Sequence, residues 1–301
     1  MFLGIDGGGT KTKFTLKKEG QYFSTKKNTI HLKQVDDKKF YETIKQGVSE
    51  VLDKAGCDVK DIKYTFAAIP GFGQYPETLE TIDKTFKEVL KGDNFSVDND
   101  CVNGWAGSLN GSEGINLVLG TGAISYGVDK NGKAMRASGW GPFLGDEASG
   151  YYIGLKLLNY WTRMSDGRVK KSKLYDLIKE RFNIDDDFEI INIATDLKRE
   201  EIADISKLLA VLLEESDEVA LKILDDIGYE ASLAIDCLID QMDFNKPVKV
   251  SYSGGVFNLG QKLIDSIKKH IKNEIEIVKP YTTPDKGAII MAEKLYEQKN
   301  K

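Results

Sequence analysis

Three glycine turns, each directly after an apolar run, have residue types and spacing that could bind an anionic ligand. They are Gly7–Thr10 in GIDGGGTKT, Gly120–Gly122 in LGTGAIS and Gly254–Gly255 in SGGVF. Consecutive backbone N–H groups freed by glycine form concavities that bind anions, and a threonine hydroxyl adds a donor. None of the turns fits the P-loop or the dinucleotide-binding spacing. One such turn is more often a hairpin, whereas three favour a nucleotide held between two lobes.

Asp6 lies where the first apolar run meets the glycines. A carboxylate beside a phosphate site repels the phosphates unless a cation lies between them. Mg²⁺ prefers oxygen ligands and retains water molecules, so one carboxylate at its hydration shell suffices. We therefore expect Asp6 to contact a magnesium ion through water, and an acid that only caps the turn is the alternative.

Composition and charge restrict the classes of protein. The 301 residues carry a net charge of −5, which predicts no general affinity for nucleic acid or an anionic membrane surface. Cys57, Cys101 and Cys237 are scattered, which argues against zinc, a disulfide scaffold and an iron–sulfur site from this chain alone. No apolar run approaches the roughly 18–20 residues of a membrane span. Met1 runs directly into a strand without a signal peptide, so we expect a cytoplasmic protein.

Strands and helices alternate along the chain and predict an α/β fold with a mixed sheet and helices on its faces. Residues 115–138 repeat the strand–turn–strand–turn–strand order of the opening at an offset of 112 residues. Unless that match arises by chance, it indicates two similar lobes. We place the boundary near residue 110, which gives an N-terminal lobe over 1–110 and a C-terminal lobe over 111–301. The final helix could pack back on the first lobe.

The second half of the chain is predicted to be rich in helices. The first spans 145–161 and opens with Asp146 and Glu147, acids that suit a helix N-terminus. Another helical stretch is expected near 198–215.

Four segments, in this order, carry a resemblance to a known family: GIDGGGTKT, LGTGAIS, GWGPFLGDEASGYYIG and SGGVF. Over nearly its whole length the chain resembles the BadF/BadG/BcrA/BcrD-type ATPases, and within them the N-acetylglucosamine kinase-like branch of the actin-like superfamily. The resemblance implies a two-lobed actin-like ATPase, or ribonuclease H-like, α/β fold. Each lobe would hold a mixed sheet with flanking helices.

The resemblance implies an ATP-dependent sugar kinase with ATP and Mg²⁺ as cofactors. The expected acceptor is a hydroxyl, the 6-hydroxyl first, of an N-acetylated amino sugar such as N-acetylglucosamine or N-acetylmuramic acid. The partners are then the sugar and ATP, and a homodimer is compatible with the resemblance. The alternatives are a kinase for another hexose or glucosamine and a non-kinase ATPase such as a dehydratase activator. Activators hold an iron–sulfur cluster with cysteines between two subunits, and the cysteines here lack that spacing.

Residue roles follow from the same resemblance. The general base is an aspartate about twenty residues before Thr121, and this spacing favours Asp100 over Asp98, although the two would share one face of a strand. Phosphoryl transfer depends on positioning and charge stabilisation, so an ordinary aspartate suffices as the base. The residues implied to bind ATP are Gly8, Gly9, Thr10, Lys11, Thr12, Gly120, Thr121, Gly122, Gly254 and Gly255. Those implied to contact the sugar are Asp100, Gly139, Trp140, Gly141 and Asp146.

Three of these positions have alternatives. Asp146 could cap the predicted helix, and Trp140 could be a core residue rather than a platform for the sugar. The asparagine that contacts N-acetylglucosamine in the related kinases falls on Ile30 in the simplest register, with Asn28 and His31 as substitutes. The identity of the sugar therefore stays open.

Overall fold

In the computed structural model, which describes residues 1–300, the chain divides into two units, each built on one mixed five-stranded sheet. Unit 1 comprises Met1–Ser112 together with the segment from Lys279 onward, and unit 2 comprises Glu113–Val278. The predicted α/β class is therefore confirmed. Within residues 1–300 no helix combines the length and the apolar character needed to cross a membrane.

The sheet of unit 1 has the strand order β3-β2-β1-β4-β5. Its first three strands form an antiparallel meander, and β4 and β5 run parallel to β1. The strands are β1 (Phe2–Gly7), β2 (Lys11–Lys18), β3 (Gln21–Asn28), β4 (Tyr64–Ile69) and β5 (Phe95–Asn99). The helices are α1 (Asp37–Ala55), α2 (Leu79–Leu90), α3 (Asp100–Leu109) and α11 (Pro284–Lys299), with the remaining helices numbered in chain order in unit 2.

Helix α11 comes from the far end of the chain and packs on β1 and α3. Glycines permit this close approach. A Cβ atom on Gly287 would lie 2.2 Å from the carbonyl oxygen of Asn103, and one on Gly4 would lie 2.8 Å from the Cβ of Ala288. Real Cβ atoms do not approach other atoms this closely, so the helix can lie in this position only without side chains there.

Unit 2 repeats this arrangement with the strand order β10-β9-β6-β7-β8. Its strands are β6 (Gly114–Leu119), β7 (Ala123–Val128), β8 (Ala134–Ala137), β9 (Val248–Ser253) and β10 (Ile275–Ile277). Its helices are α4 (Gly150–Ser165), α5 (Lys173–Phe182), α6 (Glu189–Asp196), α7 (Arg199–Ile205), α8 (Leu208–Glu214), α9 (Glu218–Gln241) and α10 (Gln261–His270). The first residues of β6 and β7, Gly114 and Ala123, follow Phe2 and Lys11 of β1 and β2 by the 112-residue offset of the sequence repeat.

The helix expected from residue 145 begins later, at Gly150, because Asp146 and Ala148 have left-handed φ angles of 58° and 64°. Ser149 is its N-cap, and its hydroxyl accepts a hydrogen bond of 3.1 Å from the backbone of Tyr152. The interpretation of Asp146 as the cap is therefore wrong.

Two further elements differ from the sequence prediction. The helix expected over 198–215 is divided into α7 and α8 by a turn. Asp100, expected at the end of a strand, is instead the first residue of α3, because the side chain of Asn99 caps the helix by accepting from the backbone of Cys101.

Candidate active site

The carboxyl ends of β1, β3, β4 and β5 meet at one edge of the sheet of unit 1, since these strands run in the same direction. Ligands of open α/β sheets bind at this kind of edge. The glycine turn follows β1 there, and Asp98 and Asp100 lie at the end of β5 and the start of α3.

The turn after β1 is tight, because the backbone N–H of Gly8 donates a 2.9 Å hydrogen bond to the carbonyl of Lys11. The hydroxyl of Thr29 donates to the carbonyl of Gly8 at 2.8 Å and fixes the turn from the neighbouring loop. Gly9, Thr10 and Lys11 are exposed to solvent. Thr12 is fully buried, and its hydroxyl has no hydrogen-bond partner among residues 1–300.

Asp6 is half-buried and is held by Asn103 of α3. The side-chain Nδ2 of Asn103 donates one hydrogen bond to Oδ1 of Asp6, at an N–O distance of 3.0 Å, and another to the carbonyl of Ile5, at 3.2 Å. Burial raises the pKa of the Asp6 carboxyl, the bond from Asn103 opposes that rise, and the charge of Asp285 adds to it. A nearby cation would therefore stabilise the ionised form of Asp6.

Asp100 is reached by solvent, yet it is surrounded by enough protein to lose part of its hydration. This burial, together with the negative charge of Asp6, raises the pKa of Asp100 to about 6. Because Asp100 and Asn103 are three residues apart in α3, they lie on neighbouring positions of one helix face. One helix therefore places Asp100 directly and Asp6 through Asn103.

Asp98 does not share the position of Asp100, because the strand ends at Asn99 and the two-residue period of a strand ends with it. The Asp98 carboxylate accepts a hydrogen bond of 2.7 Å from the backbone of Asn99, and burial raises its pKa. It lacks the neighbouring carboxylate that Asp100 has in Asp6.

The acidic pair fits a magnesium ion. Two carboxylates that repel each other are stabilised by a cation, and carboxylate oxygen is the ligand that Mg²⁺ prefers. Within residues 1–300 no group of three or more His, Cys, Asp or Glu side chains is arranged to hold a metal. A magnesium ion here would take most of its ligands from water and phosphate.

In unit 2, the second and third glycine turns line the same cavity, of about 400 Å³. The third turn packs against the second, since Gly254 has a φ of 101° and a Cβ there would lie 2.3 Å from the carbonyl oxygen of Leu119. Helix α4 begins against the second turn, with the N–H of Gly150 donating to the carbonyl of Gly120 at 2.7 Å. The lining residues include Gly120, Thr121, Gly255, Asn258, Glu200 and Lys207.

Asp146 is buried, with 3% of its surface exposed, and lies against the second turn. Its Oδ2 accepts a short hydrogen bond from Nη2 of Arg199, and its Oδ1 accepts one of 3.3 Å from the N–H of Gly141. A Cβ on Gly122 would lie 2.5 Å from that Nη2 and 2.9 Å from Oδ2. The structure thus joins a predicted sugar contact to a predicted phosphate contact through Arg199, a residue that the sequence analysis missed.

Trp140 is 65% exposed, so its assignment to the core is wrong. The guanidinium of Arg136 lies 4.9 Å from its ring centroid and donates a 2.9 Å hydrogen bond to the carbonyl of Gly139. The indole is therefore fixed at the surface of unit 2, on the loop that contains Gly139, Gly141 and Asp146.

Ile30 does not offer a sugar contact, because it is fully buried and packs beside Gly7. Asn28, at the end of β3, is exposed, and the His31 ring lies 6.3 Å from the ring of Tyr75. Either residue remains available at the carboxyl edge of the sheet.

The chain belongs to the BadF/BadG/BcrA/BcrD ATPase family, whose model matches residues 3–292. The family expected from the sequence motifs is thereby confirmed.

Relatives of known name cover almost the whole chain. The N-acetylmuramic acid/N-acetylglucosamine kinase of Clostridium acetobutylicum is 26% identical over 298 residues, which are 96% of this chain and 97% of that protein. The N-acetyl-D-glucosamine kinase of Dictyostelium discoideum is 27% identical over 97% of each chain. A candidate N-acetylglucosamine kinase from Chromobacterium violaceum has a similar crystal structure, with a TM-score of 0.76 and 22% identity over 97% of this chain and 98% of that one.

Proposed function

We propose that this protein is an ATP-dependent kinase that transfers the γ-phosphate to the 6-hydroxyl of an N-acetylated amino sugar, such as N-acetylglucosamine or N-acetylmuramic acid. The observation that carries the proposal is Asp100, whose pKa is raised to about 6 by burial and by Asp6 at the ligand-binding edge of a sheet. The names of the two relatives, both kinases of these sugars, support it.

The glycine turns bind ATP in this proposal. Residues Gly8, Gly9, Thr10, Lys11 and Thr12 bind one part of the phosphates, with the hydroxyl of Thr10 as one donor. Residues Gly120, Thr121 and Gly122 bind another part, and Gly254 and Gly255 lie against the adenosine. Because backbone N–H groups are fixed by the turns, they lose little entropy when they bind an anion.

Asp6 would hold a magnesium ion through a water molecule. The ion, when bound, neutralises the charge of the phosphate oxygens. Asn103 keeps the Asp6 carboxylate in one orientation for this contact.

Asp100 accepts the proton of the acceptor hydroxyl. With a pKa of about 6 it is mostly ionised at neutral pH, and it is a stronger base than an ordinary aspartate. In a loose transition state the hydroxyl proton leaves late, so this basicity suffices.

The sugar is oriented by Asp146, Trp140 and the backbone of Gly139 and Gly141. Each carboxylate oxygen has two lone pairs, so Asp146 can accept sugar hydroxyls beside the bonds from Arg199 and Gly141. The exposed indole of Trp140 offers an apolar face to the sugar ring.

The experiment is a panel of sugars incubated with ATP and Mg²⁺, in which ADP release and the phosphorylated product are measured. N-acetylglucosamine, N-acetylmuramic acid, glucosamine and glucose together separate an N-acetyl requirement from a general hexose activity. We expect product only with the N-acetylated sugars. Asp100→Asn should abolish turnover while ATP still binds, whereas the matched Asp98→Asn should stay active. The reverse order would contradict the assignment of the base.

The proposal also includes an oligomeric state and a location in the cell. We expect a homodimer, which sedimentation equilibrium measures directly. Because the reaction consumes ATP, we place the protein in the cytoplasm, and cell fractionation tests that placement.

A further inference from the structure

We propose that Arg199 contacts the transferred phosphoryl group and that Asp146 positions it. This inference rests on the proposed phosphoryl transfer and adds a cation to it. Arg199 is the first residue of α7, and its guanidinium lies at the glycine turn Gly120–Gly122.

The guanidinium of Arg199 lies directly against the second glycine turn. Nη2 lies so close to Gly122 that the glycine cannot be replaced by alanine without displacing it, since a Cβ would be 2.5 Å away. The adjacent residue Glu200 lines the cavity that also contains Gly120 and Thr121. An anion bound at the N–H groups of this turn is therefore within the reach of Arg199.

Arg199 also has free hydrogen-bonding capacity. A guanidinium carries five N–H donors, and in the part of the chain that the structure describes only Nη2 is used, by Asp146. The side chain of Arg199 is 40% exposed, while that of Asp146 is 5% exposed. A buried carboxylate that holds one edge of an exposed guanidinium leaves its other donors free for a ligand.

The charge and shape of the guanidinium suit the reaction. In phosphoryl transfer, negative charge spreads over the three equatorial oxygens of the transferred group, and an arginine placed there contributes roughly 10³–10⁵ to kcat in other phosphoryl-transfer enzymes. Its planar fork binds two such oxygens at once. Because Asp146 is also a proposed sugar contact, it links acceptor binding to the orientation of this cation.

The experiment compares Arg199→Ala and Arg199→Lys with a matched control, Arg168→Ala. Arg168 also pairs with an aspartate, Asp166, but it does so locally on the surface. We expect kcat to fall at least about 100-fold in Arg199→Ala, on both N-acetylglucosamine and N-acetylmuramic acid. The ATP dissociation constant should change little, the melting temperature should fall because the buried Asp146 carboxylate loses its partner, and Arg168→Ala should match the wild type.

A rescue measurement separates contact with the phosphoryl group from a structural role. Millimolar guanidinium should restore part of the activity of Arg199→Ala and none of that of Asp100→Asn. An unchanged kcat would overturn the proposal. A lower melting temperature without rescue by guanidinium would also overturn it. A loss of kcat confined to N-acetylmuramic acid would do so too, because it would show that Arg199 recognises the carboxylate of that sugar.

Failure of the proposed function would look different. If the wild type phosphorylates no sugar of the panel, the sugar assignment fails, and the same variants are then compared by their rates of ATP hydrolysis. Arg199→Ala should again be slower than Arg168→Ala, and equal rates would overturn the role of Arg199.

Discussion

The side chain of Asn103 donates a 3.0 Å hydrogen bond to the carboxylate of Asp6. Asn103 is fully buried, and it follows Asp100 by one turn of α3. The helix therefore carries both Asp100 and the hydrogen-bond partner of Asp6, and the negative charge of Asp6 helps burial to raise the pKa of Asp100.

We predict that Asn103→Leu raises the pKa of Asp6 further, because the bond from Asn103 is the largest of the interactions that favour the ionised form. The protonated fraction of Asp6 then rises, and activation by Mg²⁺ should require a higher pH. The measurement is the magnesium concentration for half-maximal activity between pH 5.5 and pH 8. Asn99→Ala is the control, since it removes the cap of α3, at a cost of about 1 kcal/mol, and leaves the partner of Asp6 in place. A pH dependence equal to that of the wild type would contradict the role of Asn103.

The pH dependence of kcat/KM should show an acid limb near pH 6, because burial and the charge of Asp6 raise the pKa of Asp100 to about 6. The base must be ionised, so activity falls about tenfold per pH unit below that value. Asp98→Asn should keep the limb unchanged, and a limb that moves with Asp98 would assign the base to that residue instead.

Asp100→Asn should increase the free energy of unfolding at neutral pH. Because folding raises the pKa of this carboxyl from 3.8 to about 6, the carboxyl favours folding fully below pH 3.8 and loses that contribution as pH rises through 6. The amide has no such loss. Denaturant titrations at pH 4 and pH 7.5 measure the effect: the gain in the variant should be larger at pH 7.5, and a gain that is equal at both values would contradict the cause.

Gly287→Ala should lower the free energy of unfolding by about 1–3 kcal/mol, which is the usual cost of overpacking. The new methyl group would lie 2.2 Å from the carbonyl oxygen of Asn103, and α11 must move away from α3. Gly92→Ala is the control, because nothing lies within 4 Å of a Cβ at that position. If both variants unfold at the same denaturant concentration, the close packing of α11 is not needed for stability.

Ile30→Asn should destabilise the protein by about 2–5 kcal/mol rather than create a sugar contact, since it removes a fully buried aliphatic side chain and buries an amide. Ile30→Val, which keeps an apolar side chain, should lose only about 1 kcal/mol. Thermal unfolding compares the two variants. A stable Ile30→Asn with a lower KM for N-acetylglucosamine would show that the loop can present this position to the sugar.

Much of the fold could be predicted because its signals are local. The glycine turns and the alternation of strands and helices can be read from neighbouring residues, and the repeat at 112 residues is a second occurrence of the same local pattern. The α/β class and the strand order of the two meanders followed from them.

The remainder depends on contacts between distant segments. Arg199 and Asp146 are 53 residues apart, and no local pattern links an arginine at the start of a short helix to a particular carboxylate. Likewise, the left-handed backbone of Asp146 and Ala148 moves the start of α4 away from the acids that suit a helix N-terminus. Nothing in the residue types of that loop predicts these φ angles.

The composition of unit 1 has a consequence for biosynthesis. Its sheet is encoded at the beginning of the chain, but the helix that covers β1 and α3 is encoded after the whole of unit 2. During translation the surface around Gly4 and Gly107 therefore stays uncovered until Pro284–Lys299 has emerged from the ribosome. Unit 2 is one continuous segment, so all of its strands and helices have been synthesised once the chain reaches Val278. A nascent chain released before that helix should expose an apolar surface for chaperones, and the carboxylates of Asp6 and Asp100 should acquire their final environment only when synthesis reaches this segment.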